Sequence, residues 1–194
     1  MGVNANEREG GSPGARPGLC VAVVMQRKAV SGPQSRWQAW QWAPVDVVPN
    51  EAAFGTLARP LLQTEQEQRW LFPQLQVDLF RDDAEGYHLN LASPAPCWFV
   101  LWRQDEASET EATPLARPVA VSLSYHDAGR WLDAQESVDQ LPADPAVVLW
   151  LQAFVDQHYR PEPRKRRRPQ SFQALQDRFG NPASVSTTKQ RGEP

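Results

Sequence analysis

The chain predicts an α+β fold: an antiparallel meander of about six or seven strands followed by two or three C-terminal helices packed on the sheet. Three observations carry this expectation. Most of the eight tryptophans in 194 residues fall on short strand-like runs. Trp37, Trp40 and Trp42 lie within six residues, and Trp98 and Trp102 flank the apolar run from Cys97 to Trp102. Large rings on alternating positions suit a pleated sheet with a covered face. Second, the 18 prolines are about twice the usual share. They mostly punctuate segment ends, which favours short strands over a helical bundle. Third, strand patterns come first and helical patterns afterwards, and such segregation marks α+β architecture.

Element by element, residues 1–17 are rich in Gly, Pro and polar residues and read as a disordered segment. Leu19 to Arg27 is a first strand, residues 31–35 a turn, and Trp37 to Val48 a second strand, with Trp40 and Trp42 on one face. Pro44 inside that strand points to an edge or a bulge. Residues 50–68 read as a long connection and Arg69 to Phe72 as a short strand. Leu75 to Leu79 and Tyr87 to Leu91 alternate cleanly, so a hairpin is expected there, turning at Asp82 to Gly86. Cys97 to Trp102 is apolar on both faces and reads as a central strand covered by helices. Residues 103–117 read as a polar loop, with Val119 to Leu123 as the partner strand. Ser124 caps a helix, with Asp127 in capping-box position. Asp144 caps the next, with Pro145 in its first turn and Val147, Leu151, Phe154, Val155 and His158 on one face. A short third helix is expected over 170–179.

The length suits one domain of roughly 140 to 150 residues with disordered ends. It is placed at 18–160, with a basic tail over 161–194. Residues 1–159 hold 11 basic and 20 acidic residues, net −9, whereas residues 160–194 hold 9 and 3, net +6. An acidic body with a basic tail bears on partners rather than fold. Cys20 and Cys97 lie in apolar runs outside any CxxC spacing, so two buried free thiols in a reducing compartment are expected, with a single bridge as the alternative. The first apolar run, Leu19 to Met25, is too short for a membrane span and lacks the flanks of a signal peptide. The expectation is a cytoplasmic protein with no membrane association.

Candidate chemistry is sparse. His88, His126 and His158 fall on different elements, without the spacing of a zinc site. His126 with Asp127 has the form of a general base and its orienting partner, but no nucleophile accompanies them. Asp82, Asp83 and Glu85 could offer oxygens to Mg²⁺, although the same residues before Gly86 are ordinary turn formers. The glycine-rich stretch 10–18 is followed by a strand instead of a helix, and Pro13 removes a donor that a phosphate loop would need. No catalytic residue, cofactor or metal is therefore expected. The sharpest charge feature is Arg164-Lys165-Arg166-Arg167-Arg168. It suits docking on an acidic partner, a solvated tail, or phosphate neutralisation on nucleic acid, which the acidic body would repel. Most tryptophans are expected in the core. An exposed subset, with Trp37 and Trp42 as candidates, would mark a protein–protein surface.

Several stretches carry a resemblance: Val21 to Arg27, Ser35-Arg-Trp37 with Trp42, Gly86 to Leu91, Val119 to Trp131, and Phe154 to Pro163. Over roughly residues 19–168 the chain resembles an uncharacterised proteobacterial family encoded beside molybdenum-dependent formate dehydrogenase subunits and their accessory factors. Some members carry the label molybdopterin-guanine dinucleotide biosynthesis protein A. That nucleotidyltransferase has a glycine-rich loop directly after the first strand of a Rossmann-like domain, and this chain departs from it in both loop and element order. With the absence of a catalytic set, the resemblance implies a non-catalytic accessory or assembly protein for the dehydrogenase; the docking residues expected from the aromatics and the charge run themselves are Trp37, Trp42 and residues 164–168. Two alternatives stand beside it: an enzyme of molybdenum-cofactor nucleotide maturation, and a nucleic-acid-binding module using the basic tail.

Overall fold

A computed structural model describes residues 16–104 and 115–161. The compact unit that holds every element below ends at Tyr159. Its fold is α+β, and the described residues form seven strands in two antiparallel sheets and three α-helices. The strands are β1 (Gly18–Ala29), β2 (Trp40–Pro49), β3 (Arg59–Gln63), β4 (Glu67–Asp78), β5 (Cys97–Gln104), β6 (Ala116–Ser122) and β7 (Ser137–Pro142). The helices are α1 (Ala84–Leu91), α2 (Tyr125–Asp133) and α3 (Pro145–His158). One sheet runs β2-β1-β4-β3 and the other β6-β5-β7.

Both sheets feed one core. Val21, Val23 and Met25 of β1, Trp42 of β2 and Phe72 and Val77 of β4 meet Trp98 and Val100 of β5. Tyr87 of α1 and Leu151, Phe154 and Val155 of α3 pack against the same cluster. The other face of β5 carries Cys97 and Phe99 under Ala128 of α2, with Trp131 and Val138 alongside. This second layer explains why residues 97–101 are buried without alternation.

Proline placement follows the sheet edges. β2 is an edge strand whose register with β1 shifts where Val24 pairs Asp46 and Met25 pairs Pro44. The edge-or-bulge expectation at Pro44 is thus met in both senses. In β4, Val21 pairs Leu75 and Val23 pairs Phe72, so Pro73 and Gln74 together face Ala22. Gln74 adopts φ 62°, and its amide donates to Asn50 Oδ1 at 3.0 Å. That bulge lets the two short strands expected around Pro73 run on as one.

Three local expectations need correction. Tyr87 to Leu91 is helical, not the second strand of a hairpin. A five-residue alternation fits both periods, and the buried side chains of Ala84, Tyr87 and Asn90 recur at the helical spacing of three, with Gly86 buried beside them. Residues 50–68 contain β3, an edge strand exposed at all five positions and therefore silent in any burial pattern. β7 follows α2, held to β5 by Trp102 Nε1 donating to Asp139 Oδ2 at 2.6 Å and by the Arg103–Glu136 ion pair. The expected helix over 170–179 and the cationic run 164–168 lie outside the described residues, as do residues 1–15 and most of the 103–117 loop.

No helix among the described residues is long and apolar enough to cross a membrane.

Candidate functional site

The chemistry of the described surface is apolar at one place and polar at another. The apolar place is a groove of about 290 Å³ where the start of β1 and the end of β2 meet the first turns of α3. Its position follows from local sequence. Asp144 accepts from the Ala146 amide at 2.8 Å, and Pro145 opens the helix with the φ it already prefers. α3 then turns Leu151, Phe154 and Val155 into the core. That leaves Val147 and Trp150 half-buried at the groove, facing Leu19, Val48 and Pro49 across it. Trp98, 2% exposed, forms part of the lining. The lining has a single formal charge, that of the capping Asp144. Leu149, one residue before Trp150, is 71% exposed. The exposed Cys20 thiol also lines the groove.

This groove was not read from the sequence. A signal existed: Val147-Val-Leu-Trp-Leu151 is apolar around the whole helix, more than one buried face requires.

The polar place lies where α1 meets α2. Ser124, fully buried, accepts from the amides of His126 at 3.1 Å and Asp127 at 3.4 Å, as the capping pattern predicts. Ser122 Oγ donates to Asp127 Oδ2 at 2.5 Å, and Arg130 pairs with the other carboxylate oxygen. His126 is oriented by a different acid: its Nδ1 lies 3.3 Å from Asp83 Oδ1. The His126–Asp127 dyad that adjacency in sequence allows is not formed, because Asp127 is engaged by Ser122 and Arg130. Ser122 Oγ also accepts from the Ser124 amide at 3.0 Å, so both serine hydroxyls take part in the network that starts α2. The elements approach closely here: a Cβ on Gly86 would lie 2.3 Å from Ser124 Oγ, so α1 needs glycine at this contact.

The remaining candidates are dispersed. His88 stacks on Tyr159 with ring centroids 4.4 Å apart, and His158 tilts against Phe154 at 4.5 Å. Asp82 and Asp83 belong to a 3-10 turn that leads into α1, where Glu85 sits in the first turn. Among the described residues no three His, Cys, Asp or Glu side chains converge as metal ligands would. Trp37 stands 93% exposed after the turn Pro33–Arg36 and is not on β2. Trp42 is 6% exposed in the core. A ring buried between sheets offers a partner no face, so Trp42 leaves the candidate docking set. Cys97 is buried as expected and Cys20 is not; both thiols are free. Burial pushes the Cys97 thiol above its ordinary pKa, the direction of an unreactive thiol. Burial likewise pushes the Tyr87 phenol up to about 12, and its oxygen accepts from the Phe80 amide at 3.2 Å.

Residues 20–168 match the family model described as Protein of unknown function (DUF3305). The chain belongs to the DUF3305 family. The matched span begins at Cys20 in β1 and covers the rest of both sheets, the three described helices and every groove residue except Leu19. Among the described residues of this DUF3305 chain every strand pairing is antiparallel, and none forms the parallel βαβ unit that presents a phosphate loop at a helix start. No curated protein and no solved structure matches the chain.

Proposed function

We propose that this DUF3305 chain is a non-catalytic accessory or assembly protein that acts by docking on another protein through the groove between β1, β2 and α3. The observation that carries the reading is the groove itself: almost wholly apolar, open, and lined by the half-buried Trp150 and Val147. Buried aromatic anchors contribute most to protein–protein affinity, and a concave apolar surface suits an apolar segment of a partner. The acidic balance of residues 1–159 favours a partner whose docking segment is flanked by Lys or Arg. The partner we propose is a subunit of a molybdenum-dependent formate dehydrogenase, and the support for that identity is the sequence resemblance. Cations 164–168 are proposed as a second, charge-driven contact, which would weaken with salt.

The test is affinity purification of the tagged full chain from its native cell, with nuclease treatment. Ala146→Arg places a charge in the groove at an exposed position without touching the core. Leu132→Arg, on the exposed side of α2, serves as the control. Recovery of formate dehydrogenase subunits with the parent and Leu132→Arg, but not with Ala146→Arg, supports the reading. Equal recovery with Ala146→Arg removes the groove from it, and no dehydrogenase subunit with the parent overturns the partner assignment.

A further inference from the structure

The docking groove sets one charge beside an apolar surface. Asp144, Val147 and Trp150 all line it, and a spacing of three places them one above another on the opening turns of α3. Leu151, Phe154 and Val155 form the buried face of the same helix. The groups that a partner would touch are reachable: Leu19, Val48, Val147 and Trp150 are half-buried, and Pro49 and Asp144 are exposed. The groove is also small. Its volume of about 290 Å³ lies just under that of whole-ligand pockets, about 300–1,000 Å³, so it takes one large side chain and not a row of them.

Its charge is one-sided. Asp144 is the sole charged residue in the lining, and no Lys, Arg or His accompanies it. One carboxylate oxygen accepts from the Ala146 amide at 2.8 Å, which uses one of about four acceptor positions on the group. The helix start contributes about half a positive charge and Asp144 a full negative one, so the balance beside Val147 is negative. Residues 1–159 as a whole carry the same sign, net −9.

On the footing that the groove docks another protein, we propose that it selects a segment in which one large apolar side chain is flanked by Lys or Arg. The apolar side chain packs on Val147 and Trp150, and the cation pairs with Asp144. An acidic flank meets a like charge with no cation in the lining to offset it, and specificity is that difference. Because Asp144 is exposed, the pair adds little affinity and more discrimination.

The experiment uses the full chain, protein-observed NMR and three capped peptides at millimolar concentration and low salt: Ser-Lys-Phe-Lys-Ser, Ser-Glu-Phe-Glu-Ser and Ser-Lys-Gly-Lys-Ser. The expected result is a shift of the Trp150 indole and the Val147 amide with the lysine-flanked phenylalanine, which binds about tenfold tighter than the glutamate-flanked one. Asp144→Asn keeps the helix start, since asparagine caps as well as aspartate, and is expected to cut that preference to about twofold. High salt should shrink it in the same direction. Equal binding of the two phenylalanine peptides, or a preference unchanged by Asp144→Asn, overturns the proposal and leaves the docking groove standing. Shifts as large with the glycine peptide as with its phenylalanine counterpart also overturn it, because charge alone then explains the contact. No shift at Trp150 with any peptide overturns the proposal together with the docking role of the groove.

Discussion

Replacing Asn90 by alanine should cost more stability than almost any other polar substitution in this chain. Asn90 is 1% exposed. Its Nδ2 donates to the Cys97 carbonyl at 2.8 Å and to the Leu123 carbonyl at 2.8 Å, and its Oδ1 accepts from the Cys97 amide at 3.0 Å. One side chain on α1 thereby satisfies backbone groups at the start of β5 and just past the end of β6. Alanine removes all three bonds and leaves the backbone groups in a space that water reaches poorly. At about 1 kcal/mol for each lost bond, the expected loss is about 3 kcal/mol, and more where a buried group stays unsatisfied. That is a large part of a typical folding stability of about 5–15 kcal/mol. For a domain of this size it corresponds to a melting point lowered by about 6–12 °C. Thermal and urea unfolding of parent and Asn90→Ala measure it directly. Asn90→Asp is the informative companion: a carboxylate can still accept from the Cys97 amide but cannot donate to either carbonyl, so it should rescue little. A loss under about 0.5 kcal/mol for Asn90→Ala, the range of an ordinary surface change, would refute the reasoning.

Two further outcomes are expected. The Tyr87 phenol titrates near 12 when folded against an ordinary value of 10.0, because burial opposes its ionisation. A raised folded value means full stability below about pH 10 and progressive loss as pH rises toward 12; Tyr87→Phe should flatten that alkaline limb in unfolding curves taken across this range. Finally, a thiol reagent should modify Cys20 in the native protein and reach the buried Cys97 only on unfolding, so that one thiol reacts at first and a second after denaturant is added; two fast thiols would contradict the burial of β5.

The strongest local signals were legible because they are written in adjacent residues. The Ser124 and Asp144 caps, Pro145 at a helix start and the doubly apolar 97–102 strand each state their structure within a few positions. The elements that escaped are those whose identity depends on distant neighbours. β3 shows no burial alternation, because as an exposed edge it has no core to face. Tyr87 to Leu91 alternates like a strand, yet Asn90 and Tyr87 find their partners only if the segment coils. For the sites, Asp127 was the nearer acid in sequence, but Asp83 approaches His126 from the turn before α1.

The sequence by itself determined the α+β class, the antiparallel strand content, the capping of α2 and α3 and the opposite charge of body and tail. Those follow from periodicity, proline placement and composition, which are local or additive. Only the tertiary structure decided that the strands divide into two sheets sharing one core, and that Trp42 is buried while Trp37 is exposed. It also set α3 across the ends of β1 and β2 to leave an apolar groove, and stood Tyr125 edge to face against Phe99. Each of these is a contact between residues far apart in the chain, and no periodicity within one segment specifies which distant surface it will meet.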